Sequence, residues 1–217
     1  MKISLLTPIL NIAFNYVAKF SKIYNIDESH ALKHSMETFR LANEIYNNEV
    51  QSNAYLREQQ DIIYTAAILH DMCDKKYMVE KLGLSIMKNH MCDIMPISRL
   101  DTVSTIISTM SYSKVKQNGF PLLGEYQLAY HIVREADLLA AYDIDRTIMY
   151  GMIMEKMDYC DAVVRAINLF DTRILKYRED NLFVTNISKE ISSTLHEKAI
   201  YDIKELKTIF CSSSFII

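Results

Sequence analysis

Residues 66–77 read AAILHDMCDKKY. Four apolar residues run into His70-Asp71, and Asp74, Lys75 and Lys76 follow within one turn. The preceding stretch, Gln59 to Leu69, has apolar residues at helical spacing, so an apolar helix delivers an imidazole and a carboxylate to its own end. Neighbouring side chains on a helix point about 100° apart. Both reach one ion only if it sits beside the helix and the aspartate bends around to it. Such a pair is also incomplete, because a catalytic ion takes three or four protein ligands and keeps positions open for water. The missing ligands have to come from other helices.

The rest of the chain supports helices throughout. Glycine and proline number four and three in 217 residues, too few for the turns of a sheet protein this size. Apolar spacing predicts helices over 31–46, 59–69, 75–89, 98–110, 122–141, 147–154, 159–177 and 187–210. In the first of these, Met36, Phe39, Leu41, Ala42 and Ile45 mostly share a face, and Asp27 or Ser29 is placed to cap its start. The polar stretches 47–54 and 113–119 read as soft connections, and the tail CSSSFII as disordered or docked. The N-terminal segment MKISLLTPILNIAFNYVAKFSKIY lacks a small-residue cleavage pattern and runs on past Lys19 and Lys22, so it reads as a packed helix rather than a signal peptide.

Half of the residues are hydrophobic, enough for a core without disulfide staples. Cys73, Cys92, Cys160 and Cys211 form no CxxC pair, which argues against a zinc ribbon or dithiol redox motif and fits a reducing, cytoplasmic compartment. A net charge of -3 gives no general case for nucleic acid, and no apolar run is long enough to span a bilayer. The expectation is an all-α, single multi-helix globule over residues 1–217.

Two further segments hold candidate ligands. Upstream, DESHALKH places His30 and His34 four apart, on one helical face. Downstream, VREADLLA places Asp137 in an apolar helical run, where an acid is costly unless paired or metal-bound. The ordered set His34, His70-Asp71 and Asp137 resembles the H…HD…D signature of the HD-domain metal-dependent phosphohydrolases. The local texts are similar too: SHALKHSMETFRLANEI to the family's opening helix, AAILHDMCDKKY to its "AALLHD" helix with a trailing D-x-K, and VREADLLAAYDIDR to its "DADRLDA" helix. The resemblance covers about residues 20–175, with helices at about 185–210 expected to pack on that core. Within the family, SHxxxH, HDxxDxK and MSYSK (110–114) look like the small HD proteins that include nucleoside triphosphate pyrophosphohydrolases. The paired acids of the guanosine-tetraphosphate hydrolases and the GYP segment of the cyclic-dinucleotide branch are absent. Ala31 and Glu37 stand where family members often carry Asp and Arg, which bears on substrate identity more than on metal binding.

The resemblance implies one divalent ion, manganese first, with iron, cobalt, nickel, zinc or magnesium as alternatives, held by His34, His70, Asp71 and Asp137. It implies Asp74 and Lys76 as catalytic groups, the first handling the proton of an attacking water and the second neutralising phosphate. His30, Lys75 and Lys114 are the expected substrate contacts, with Ser111 and Ser113 as further hydroxyl donors. The implied reaction is hydrolysis of a (deoxy)nucleoside triphosphate to monophosphate and pyrophosphate. The alternatives are a 5'-nucleotidase-type phosphomonoesterase and a non-catalytic nucleotide- or metal-binding module. The expected partner is a small phosphorylated metabolite rather than a membrane or nucleic acid. His90, His131 and His196 match no ligand position and read as structural. Tyr126, Tyr130 and Tyr142 read as packing residues, as do the twelve methionines. Arg165, Arg173 and Lys176 read as part of a solvated face.

Overall fold

The computed structural model describes residues 6–212, with side chains through residue 209. The tail beyond residue 212 and the first five residues of the N-terminal segment lie outside the described residues. All regular structure among the described residues is helical, as the low glycine and proline content predicts. The chain groups into two compact units, one ending at Asp137 and the other beginning at Leu138.

The first unit is built around α3, Gln60–Leu69. Every residue of α3 from Ile62 to Leu69 is buried. The text IIYTAAIL is apolar on all sides after Asp61, and such a helix has nowhere stable to lie except inside other helices. α1 (Leu6–Tyr24), α2 (Leu32–Glu49) and α5 (Ile97–Thr109) pack on it. α4 (Glu80–Met91), α6 (Tyr112–Asn118) and most of α7 (Gln127–Ala140) complete the unit. α3 does not end in solvent. It tightens into a buried 3₁₀ turn, His70–Cys73, against which α4 packs. Gly83 permits that approach: a Cβ there would lie 2.7 Å from Met78 Sδ and 3.1 Å from Cys73 Cα.

Several local expectations change in the fold. α2 begins at Leu32 behind Ala31, with no side-chain cap, because Asp27 and Ser29 bond to each other and to neighbours instead. Its buried face is His34, Ser35, Thr38, Ala42, Ile45 and Tyr46, while Met36 is exposed. The helix expected from residue 75 starts at Glu80. The N–H groups of Tyr77 and Met78 both bond to the Asp74 carbonyl, and that turn consumes residues 74–79 before a helix can propagate. The soft stretch 113–119 is helical as α6 and stops at Gly119, whose φ of 73° suits glycine. α1 ends at Asn25, at φ 53°, with the Ile26 N–H bonded back to the Ser21 carbonyl. That reversal turns the chain into the loop carrying Asp27, Ser29 and His30.

The second unit holds α8 (Ile144–Ile153), α9 (Tyr159–Thr172) and α10 (Asn186–Ser212). Asp143 caps α8 through the N–H groups of Asp145 and Arg146, and Asp158 caps α9 through that of Asp161. α8 and α9 pack extensively on each other, with Gly151 set against Ala162. No helix among the described residues is long and apolar enough to cross a membrane. Cys73, Cys92 and Cys160 form no disulfide.

Candidate metal centre

Three separate elements bring four groups to one point in the first unit. His34 comes from the first turn of α2, His70-Asp71 from the 3₁₀ turn after α3, and Asp137 from the last turns of α7. His34 Nε2 lies 3.1 Å from His70 Nε2, 3.3 Å from Asp71 Oδ2 and 3.4 Å from Asp137 Oδ1. His70 Nε2 lies 3.5 Å from Asp71 Oδ2 and 3.4 Å from Asp137 Oδ1. An ion about 2.1 Å from each donor separates neighbouring donors by about 3.0 Å in an octahedron and about 3.4 Å in a tetrahedron. All of the spacings but one fall in that window, and the exception, His70 to Asp71 at 3.5 Å, lies just outside it. His34, His70 and Asp137 form a group that can hold a metal ion, and Asp71 stands beside both imidazoles.

The chemistry of the donors fits as well. His70 Nδ1 lies 2.9 Å from the Ala67 carbonyl, which only accepts, so Nδ1 carries a proton and donates it. Nε2 is then the atom turned to the centre, the arrangement used by ligating histidines. Both imidazoles are buried, whereas the side chains of Asp71 and Asp137 are 14% and 26% exposed. The centre therefore has a dry back and a carboxylate-lined front open to water. Burial alone would lower the His70 pKa and raise those of the acids. The two carboxylates outweigh it and lift His70 to about 9, while His70 and His34 hold Asp71 and Asp137 well below the usual carboxylate range. The two carboxylates thus favour positive charge at the middle of the cluster.

A second set of groups lies alongside. His30 faces His34, with ring centroids 6.3 Å apart, and its Nε2 lies 3.0 Å from Lys76 Nζ. On the other side of the ring, Nδ1 lies 2.6 Å from Ser29 Oγ and 3.8 Å from Asp27 Oδ2. Asp27 accepts from the Ser29 N–H and the Tyr77 hydroxyl, both at 2.9 Å. Burial would raise the Asp27 pKa, but hydrogen bonds from His30, Ser29 and Tyr77 keep it well below normal.

The other expected residues fall as follows. Asp74 is not one helical turn beyond Asp71; it sits in extended backbone after the 3₁₀ turn, and its Oδ1 accepts the Lys76 N–H at 2.8 Å. Lys75 is exposed on the same loop. Lys114 does not join the four groups, since its ammonium bridges Glu80 at 2.5 Å and the Ser108 carbonyl at 2.6 Å. Ser111 and Ser113 lie 3.4 Å apart, Oγ to Oγ, at the head of α6. Arg165 pairs with Glu155, Arg173 donates to Tyr177, and Lys176 pairs with Glu179. The clefts found in the second unit, one lined by Arg178, Lys189 and His196 and another by Ile200, Ile203 and Lys204, contain none of the expected site residues.

Sequence reading overlooked Asp27 and Tyr77 as site residues. Asp27 looked like a helix cap, and nothing in the text links it to a tyrosine fifty positions away. No family model, no curated protein and no solved structure matches this chain.

Proposed function

We propose that the chain is a metal-dependent phosphohydrolase acting on nucleotides, cleaving (deoxy)nucleoside triphosphates to monophosphate and pyrophosphate. The observation that carries this reading is the convergence of His34 Nε2, His70 Nε2 and Asp137 Oδ1 within 3.1–3.4 Å of one another. The likeness of the three segments to the HD-domain enzymes supplies the reaction class.

Two imidazoles and one or two carboxylates suit manganese, iron, cobalt, nickel or zinc. A divalent ion here would activate water and polarise a phosphoryl oxygen. The residues do the rest. His70, held by the Ala67 carbonyl, and His34, held in the core, keep their Nε2 atoms aimed at the centre without cost at each turnover. Asp71 and Asp137 balance the charge and leave the open side to substrate. Asp74 accepts the proton of the attacking water, and its Oδ1 fixes the backbone of Lys76. Lys76 neutralises the phosphate, with His30 beside it.

The test is a panel of nucleoside mono-, di- and triphosphates incubated with the purified protein and manganese, with phosphate and pyrophosphate separated. Pyrophosphate together with a nucleoside monophosphate supports the proposal. Phosphate released from monophosphates moves the reading to a phosphomonoesterase. Absence of turnover with every metal of the set defeats both.

A further inference from the structure

We propose that Asp27 is a positioning residue which, with Tyr77, holds His30 against Lys76 to form a clamp for a phosphate of the substrate. This rests on the phosphohydrolase reading for its substrate class, but not for its test.

The Asp27 side chain is 2% exposed. A carboxylate so deeply buried is costly unless its oxygens are satisfied. It is satisfied by the Ser29 N–H and the Tyr77 hydroxyl, with His30 Nδ1 3.8 Å away. The Asp27–Tyr77 bond ties the loop before α2 to the loop after the His-Asp turn, across fifty residues of sequence. Each loop holds only isolated turns, with the His30 N–H on the Asp27 carbonyl in one and the Tyr77 and Met78 N–H groups on the Asp74 carbonyl in the other, and the buried carboxylate ties the two together.

The polarity of the chain of bonds follows from its ends. An ammonium only donates, so Lys76 Nζ donates to His30 Nε2. Nδ1 then carries the His30 proton and faces Ser29 Oγ and Asp27. This ordered pair presents an exposed ammonium backed by a mostly buried imidazole, 14% exposed, next to the His34 ring. With one N–H of the ammonium given to His30 Nε2, Lys76 keeps two donors, and a phosphate dianion can bridge these and the metal donors, while His30 fixes where the ammonium stands. A core tie alone would have no need to bring Lys76 onto the imidazole.

The experiment titrates inorganic phosphate into the manganese-loaded protein and into its Asp27→Asn, Tyr77→Phe and Lys76→Met variants. Metal content and thermal midpoint are measured on each. The wild type should bind phosphate, and Lys76→Met and Asp27→Asn should each weaken it by about 10-fold, the scale of one lost charge-assisted hydrogen bond. Tyr77→Phe, which keeps the ring, should weaken it by about 3-fold and serves if Asp27→Asn does not fold. Manganese content should stay at the wild-type level in all three. In turnover, Asp27→Asn should raise KM more than it lowers kcat. No phosphate binding by the wild type, unchanged affinity in the folded Asp27 or Tyr77 variant, or a loss that only tracks lost manganese would each overturn the clamp. Phosphate binding without hydrolysis of any nucleotide would retain the clamp and defeat the reaction. Hydrolysis with phosphate affinity and KM indifferent to Asp27 would do the reverse.

Discussion

Helix α7 contributes an acid to each of two clusters with histidine, Asp137 to one and Glu135, two residues earlier, to the other, and the clusters solve the same electrostatic problem in opposite ways. At Asp137, two imidazoles and two carboxylates point at a common centre with no permanent cation among them. At Glu135, fully buried, the cation is built in: Arg134 is 1% exposed and lies 3.2 Å from the Glu135 carboxylate. Its guanidinium also sits over the Phe120 ring at 4.7 Å. The two histidines report the difference. His70 is pushed up to about 9, because its acids outweigh its burial. His131 stands 3.9 Å from Glu135 yet is pushed down to about 4, first by burial and then by the charge of Arg134. A complete internal ion pair leaves its histidine neutral, whereas the Asp137 cluster leaves room for a cation from outside. That contrast separates a candidate metal centre from a structural polar core more sharply than the burial of the histidines does, since the imidazoles of both clusters are buried.

The contrast breaks most clearly through exchanged lesions. His70→Ala should abolish the proposed nucleotide hydrolysis and lower metal affinity by more than the roughly 10–100-fold that changes around a metal's ligands usually cost. Metal content after dialysis and turnover are the readouts, and a fully metallated, active variant would remove His70 from the centre. Arg134→Met should leave metal stoichiometry intact and destabilise the fold by about 3–5 kcal/mol, because Glu135 is then a buried charge without its partner. Denaturant midpoints check that, and a shift below about 1 kcal/mol would mean that Glu135 finds another partner.

A smaller effect sharpens the comparison through ligand linkage. Manganese at 100 times its dissociation constant should stabilise the wild type by about 2.7 kcal/mol and His34→Ala by little or nothing. Equal protection of both proteins would place the ion elsewhere.

The smallest effect is the pH response of the arginine-bearing cluster. The folded pKa of His131 lies below its ordinary 6.5, at about 4, so the unfolded chain binds more protons in between. Its contribution to stability is complete above about pH 6.5 and is lost as the pH falls through about 4, a change on the order of 2 kcal/mol. His131→Leu should flatten the slope of stability between pH 7 and pH 4. An unchanged slope would assign the acid sensitivity to other groups.

Periodicity and composition made the helices legible. α3 was evident from IIYTAAIL, which has no polar face, and α10 from its long charge-dotted repeat. The stretch after the His-Asp pair was not legible as a loop, because its apolar spacing continues; the hydrogen bonds to Asp74 that break the helix leave no mark on hydrophobic pattern. The candidate donors His34, His70, Asp71 and Asp137 are picked out by the resemblance of their three segments to the HD-domain enzymes; residue type alone marks only Asp137, an acid in an apolar run that is costly without a reason. Lys114 shows the reverse limit. A lysine beside serines reads as an anion contact, but its partner, Glu80, lies thirty-four residues away and becomes its neighbour only in the fold.

The sequence by itself determined that the chain is helical and where along it the apolar helices and the candidate metal donors stand. Those properties are local, set by residue type and by a period of 3.6. Only the tertiary structure decided that Asp137 meets the two imidazoles while Glu135, two positions earlier on the same helix, meets Arg134. Successive residues of a helix diverge by about 100°, so their environments depend on which neighbouring element each one faces. The same holds for Asp27 and Tyr77, whose bond closes a fifty-residue loop and exists only once the core around α3 has brought its ends together.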